Sequence, residues 1–159
     1  MNKQQVLGRG GFTMIDVVVS IAIVGILVSI AIPRFQHMSY QSKLSEAPVN
    51  SDSIMLAENA YDTAFDRFVA TPGFAPRTLI DKRPVPWVGN EGFDTIGWSP
   101  DGDVRCRYEV QLHHGNRAVL VQTQCNVDGI GSYALFQKWQ ASRAEWRDWQ
   151  EWKTPSNVY

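Results

Sequence analysis

Between Phe12 and Ile32 the chain carries a single charge, Asp16, and otherwise only apolar or small residues. A helix rises 1.5 Å per residue, so about 20 such residues span roughly 30 Å, the thickness of a bilayer's hydrocarbon core. No other stretch constrains the fold as strongly. It predicts a membrane-spanning helix, or a helix buried among copies of itself, since a helix apolar on every side needs one of those surroundings.

The ends of the run are informative. It starts abruptly after Gly10-Gly11, behind a short polar segment carrying Lys3 and Arg9, and it stops at Pro33. A conventional secretory leader has its apolar core before the cleavage site, whereas here the core follows the glycine. An ionised carboxylate such as Asp16 costs several kcal/mol in lipid unless it is paired, so a partner is expected; a carboxylate solvated among the headgroups is the alternative. Pro33 leaves the Ser29 carbonyl without its helical partner, and Gly25 is a weak helix former.

A basic leader ending in Gly11, then Phe12-Thr13-Met14-Ile15-Asp16, then a β-branched apolar run with Gly25 and Pro33, resembles the class III signal and N-terminal helix of type IV pilins and pseudopilins. The likeness covers about the first third of the chain. Asp16 stands where the family normally has Glu, one methylene longer. The resemblance implies cleavage between Gly11 and Phe12 by a prepilin peptidase, N-methylation of Phe12, and subunit assembly through Thr13 and Asp16. In that arrangement the Asp16 carboxylate meets the terminal amine of a neighbouring subunit and selects the axial stagger. It also implies that the segment between Gly25 and Pro33 can lose helicity in an assembled filament, giving extensibility. An uncleaved signal anchor is the alternative.

From Arg34 the pattern turns amphipathic, with Phe35, Met38, Ser42 and Ser45 beside Arg34, Gln36, His37, Gln41, Lys43 and Glu46. Beyond Pro48, Ile54, Ala57, Ala60, Tyr61, Ala64, Phe65 and Phe68 recur at three- and four-residue steps, which predicts a core-facing helical stripe. These features predict one long helix, kinked or briefly broken near Pro48, with Asn50 or Ser51 capping a restart, and ending near Phe68 to Ala70. The expected fold class is α+β. A long N-terminal helix, half membrane-spanning and half amphipathic, packs on a small antiparallel sheet. The expected organisation is 1–11 leader, 12–33 spanning helix, 34–70 amphipathic half and 71–159 globular head.

In the head, residues 71–102 are dense in Gly and Pro and predict loops, with Phe74, Trp87, Phe93, Ile96 and Trp98 supplying apolar mass. Residues 103–112 alternate, Cys106, Tyr108, Val110 and Leu112 on one face and Arg105, Arg107, Glu109 and Gln111 on the other, which predicts a half-buried strand. A two-residue turn at Gly115-Asn116 sets Leu112 against Val119, Val110 against Val121, Tyr108 against Thr123 and Cys106 against Cys125. The register that buries the apolar face therefore brings the cysteines together, and a Cys106–Cys125 disulfide is expected, two free buried thiols being the alternative. Asn126 to Gly129 reads as a turn and Tyr133 to Phe136 as a third strand. Trp139, Trp146, Trp149 and Trp152 keep to one broad stripe of a helix that Ser142 and Glu145 could open with a capping box. The stripe suits packing first and an adhesive or subunit contact second.

The composition excludes several classes. Of 159 residues 44% are hydrophobic and 19% charged, leaving room for one domain beyond the helix. Net charge is −1, and without Lys3 and Arg9 the 13 remaining basic residues face 16 acidic ones, a net of −3. No basic field attracts nucleic acid, which is not expected as a partner. Asp101-Gly102-Asp103 and Asp128 match no full calcium loop, and His113 and His114 alternate faces, so neither metal nor cofactor is expected. With no phosphate-cradling loop and no nucleophile elbow, the chain is not expected to be an enzyme. The leading expectation is a structural subunit of a type IV pilus, major or minor with a lean toward minor. It would be inserted first in the cytoplasmic membrane as a single-pass precursor and then extracted into an extracellular filament serving adhesion, twitching motility or DNA uptake. Its expected partners are copies of itself and other pilins, prepilin peptidase, the assembly platform with its ATPase, and membrane lipid. A type II secretion pseudopilin and a membrane-tethered binding module that never polymerises are the alternatives.

Overall fold

A computed structural model describes residues 11–77, 82–127, 129 and 133–141. The chain forms two units, Met1–Met38 and Ser39–Tyr159. Helix α1 (Met14–Leu44) supplies most of the described part of the first unit and runs on into the second. It passes through Gly25 and Pro33 without interruption, and every residue from Gly11 to Met38 is exposed.

The second unit holds the end of α1, then α2 (Glu46–Phe65), α3 (Glu91–Ile96), β1 (Cys106–His113), β2 (Ala118–Cys125) and β3 (Ala134–Ala141). The strands form one antiparallel sheet in the order β1-β2-β3. The helix expected to break near Pro48 breaks at Ser45. Pro48 has no N–H for the Leu44 carbonyl, so the ladder fails three residues ahead of the proline, which itself sits in the first turn of α2, where that loss is tolerated. Neither Asn50 nor Ser51 caps a restart, both being inside α2. The helix also ends earlier than expected, at Phe65, because Asp66 turns left-handed at φ 54° and donates its N–H to the Asp62 carbonyl at 2.8 Å. Phe68, expected near the helix end, lies past it and folds into the core.

The buried face of α2 differs from the expected stripe. Ala47, Ser51, Ile54, Met55 and Glu58 are buried, while Ala60, Ala64 and Phe65 are exposed. Ser51 is admitted because its hydroxyl donates to the Ala47 carbonyl at 2.8 Å and bonds the Thr123 hydroxyl of β2 at 2.6 Å. Around it the core gathers Tyr108, Val110, Val119, Val121, Ala134 and Phe136.

The β1–β2 register matches the expected one at all four named pairs, Leu112 with Val119 through to Cys106 with Cys125. The turn is longer than two residues. His113 pairs with Ala118, and His114, Gly115 and Asn116 all adopt positive φ (51°, 68° and 68°) in the connection. The first strand starts at Cys106 rather than residue 103, because Val104 instead bridges Val85. The third strand runs well past Phe136, and Trp139, assigned above to a helical stripe, pairs with Leu120 within it. Trp146, Trp149, Trp152, Ser142 and Glu145 lie outside the described residues.

The loop region holds more order than its Gly and Pro content suggests. Residues 71–75 strap the outer edge of β1: Thr71 N–H donates to the Val110 carbonyl at 3.0 Å, and Ala75 and Tyr108 exchange both backbone bonds at 2.8 Å. Helix α3 is capped by the Asn90 carboxamide, which accepts from Gly92 and Phe93 N–H, and is closed by Gly97 at φ 67°. Trp87, Phe93, Trp98 and Tyr108 pack in edge-to-face and tilted pairs with centroids 5.1–6.2 Å apart, and Trp98 donates its indole N–H to Ser53 at 2.8 Å.

Candidate functional site

At the start of α1 the last non-helical residue is Thr13. Its N–H and its hydroxyl both donate to Asp16 Oδ2, at 2.9 and 2.7 Å, and Asp16 N–H approaches Thr13 Oγ1 at 3.4 Å. This is a reciprocal capping box with aspartate in the third helical position, a carboxylate held at the positive end of the helix dipole. Sequence reasoning placed Asp16 against another subunit's amine and missed this pairing within the chain. The spacing of Thr13 and Asp16 ahead of an apolar run was the available signal.

Gly11 and Phe12 lie directly before this cap. Phe12 is 85% exposed, and a Cβ on Gly11 would meet nothing within 4 Å. Behind the cap the apolar side chains face outward all round the helix, from Val17 at 45% to Ile32 at 53% exposure. The two hydroxyls in the run are satisfied internally, Ser20 by the Asp16 carbonyl at 2.6 Å and Ser29 by the Ile26 carbonyl at 2.7 Å. Lipid, or a neighbouring apolar helix, therefore meets no unsatisfied hydroxyl. The helical stretch from Met14 is long and apolar enough to cross a membrane. Gly25 has open space around it, and Pro33 lies two turns on, within the same helix.

In the second unit the start of α2 is tied to β1. The Glu46 carboxylate accepts the Arg105 N–H at 3.0 and 3.1 Å and the Tyr108 hydroxyl at 2.9 Å, and Asn50 donates to that same hydroxyl at 2.8 Å. Burial, with the Glu46 charge second, raises the Tyr108 phenol above its ordinary range. Cys106 and Cys125 are joined in a disulfide across the first pair of the β1–β2 ladder.

Glu58, which sequence reasoning passed over, is fully buried on α2. One oxygen accepts the Val69 N–H at 3.0 Å, and the other has no hydrogen-bond partner among the described residues. Desolvation lifts its carboxyl to about 7, aided by the charge of Asp62 one turn on and opposed by the Val69 bond. The His113 ring lies tilted against Trp139 with centroids 4.6 Å apart, and His114 sits in the hairpin connection. Among the described residues no three His, Cys, Asp or Glu side chains group as metal ligands.

No family model matches the chain, and no solved structure matches it. A protein of Myxococcus xanthus (strain DK1622) named type IV major pilin protein PilA is 41% identical to it over 69 residues, which make up 42% of this chain and 31% of that protein. The chain thus spans about a third of the length of the curated relative it matches.

Proposed function

We propose that this chain is a structural subunit of a type IV pilus, anchored in the membrane by α1 and polymerised through the apolar surface of that helix. The observation carrying the reading is an outward-facing apolar helix whose N-terminus, directly after Gly11-Phe12, is closed by the Thr13–Asp16 capping box. A cut between Gly11 and Phe12 by prepilin peptidase would leave a charged amine, N-methylated on Phe12, within reach of a carboxylate already oriented by Thr13. The equivalent amine of a neighbouring copy could then be selected by charge, because an unpaired carboxylate in an apolar bundle is the costly state. Gly25 and Pro33 supply the places at which α1 can yield under load in the filament. Lipid and helix bundle are similarly apolar, so extraction needs work from an assembly platform and its ATPase. In this reading the precursor sits in the cytoplasmic membrane and the product is an extracellular filament for attachment, motility or DNA uptake.

The test is mass spectrometry of sheared surface filaments from wild-type and Asp16→Ala cells. The expected result is a chain beginning at methylated Phe12, with filament yield falling at least about tenfold in the variant while the membrane pool persists. A filament-free wild type, or a variant that assembles normally, refutes it.

A further inference from the structure

A fully buried carboxyl that serves one backbone N–H and leaves its second oxygen unpartnered is an uncommon fixture in a small core. Among the described residues Glu58 is such a group. Its bond goes to Val69, in the turn that follows α2, and this turn leads directly into the strap on the β1 edge. The segment is held by the Glu58 oxygen on Val69, by Phe68 in the core, by the Thr71 bonds to Val110 (N–H to carbonyl at 3.0 Å and Val110 N–H to the Thr71 hydroxyl at 2.9 Å), by the Asn90 amide on the Gly73 carbonyl at 3.1 Å and by the Ala75–Tyr108 exchange at 2.8 Å.

We propose that Glu58 is a pH-responsive latch: neutral, it holds the turn after α2 in place and with it the 71–75 strap on the edge of β1, and ionised, it favours release of that strap. A neutral carboxyl tolerates an unpartnered oxygen far better than a carboxylate does, because an isolated charge in the core lacks the solvent it needs. Release of the turn frees the carboxyl oxygen that Val69 holds and lets water take the place of that N–H. The described charged and titratable groups on the surrounding elements carry like charge or are engaged by other partners. Asp62, on α2 itself, raises the carboxyl further. In the turn, Asp66 is a like charge and Arg67 donates to the Tyr61 hydroxyl at 3.1 Å. On β1 the Tyr108 phenol is bonded by Glu46 and Asn50, on β3 Lys138 pairs with Asp52, and on α3 Glu91 and Asp94 are exposed. The face of β2 toward α2 carries Val119, Val121, Thr123 and Cys125, none of them charged. Opening the strap uncovers the backbone groups of Tyr108 and Val110, so the latch controls access to a strand edge.

Hydrogen exchange of the full chain in detergent micelles, corrected for intrinsic rates, tests this in wild type and Glu58→Gln at pH 5, 6.5 and 8. Residues 69–75 are expected to exchange ahead of the centre of β2 at every pH. Their protection should fall roughly 50-fold from pH 5 to pH 8 in wild type and by less than about fivefold in the variant. Strap protection equal to that of central β2, or a pH profile shared by both proteins, overturns the latch. Should the variant fail to fold, a carbon-13 carboxyl titration of wild-type Glu58 decides: a midpoint near 7 is expected, and one below about 5.5 overturns it.

Discussion

Gly92 is held to glycine by its surroundings. A Cβ there would sit 2.8 Å from the Ala70 carbonyl oxygen and equally close to Thr71 Cα and Cγ2, so α3 can lie against the start of the β1 strap only without a side chain. Gly92→Ala is expected to destabilise the second unit by about 1–3 kcal/mol, read as a lower urea midpoint with unchanged slope. Glu58 makes a second residue-scale prediction, with a definite sign. Its carboxyl is raised in the folded chain from the ordinary 4.5 to about 7, so the folded state binds more protons between those values. Its contribution is fully present below about pH 4.5 and is lost as pH rises through about 7. Urea melts at pH 5 and pH 8 are expected to differ by roughly 1–3 kcal/mol from this group, and Glu58→Gln to remove that part of the slope.

At the scale of elements, the β1–β2 hairpin was legible because Cys106 to Leu112 alternates cleanly and a glycine-bearing turn follows. Periodicity and turn together leave one register that buries the apolar face. The helix of residues 46–65 was legible as a helix but not in its facing. Apolar Ala60, Ala64 and Phe65 advertise a core face they do not occupy, while Ser51 and Glu58 are accepted inside through bonds to Thr123 and Val69. Long-range partners of that kind have no signature in local pattern. The same cause hid the length of β3. Lys138 and Gln140 break the apolar alternation, and only their partners Asp52 and Asn59 on α2 explain why that face accepts them. At the N-terminus the exposed apolar helix was readable from composition, whereas the Thr13–Asp16 pairing required attention to spacing rather than to charge. The Cys106–Cys125 bridge closes the hairpin at a separation of 19 residues. Loop-closure entropy puts its contribution at about 3 kcal/mol. Reduction is expected to lower the urea midpoint correspondingly, with a Cys106→Ala/Cys125→Ala variant matching the reduced wild type.

On the scale of the whole molecule, the two units ask for different solvents. The first displays Val, Ile and Leu side chains on every side of α1, more apolar surface than a water-soluble monomer ordinarily exposes. The second gathers Ile54, Phe93, Tyr108 and the valines of β1 and β2 into a core of its own. The hairpin of that second unit is also shut twice, once by its connection and once by the sulfur bridge across its far end. Tension drawn along the polypeptide therefore crosses from Cys106 to Cys125 through sulfur, and the strands between them bear none of it. Stretched singly by its two termini, the oxidised chain should extend roughly 60 Å less than the reduced one, the contour of the sheltered loop at about 3.3–3.6 Å per residue. A tether built this way keeps a folded remnant even after the rest of its head has been pulled straight.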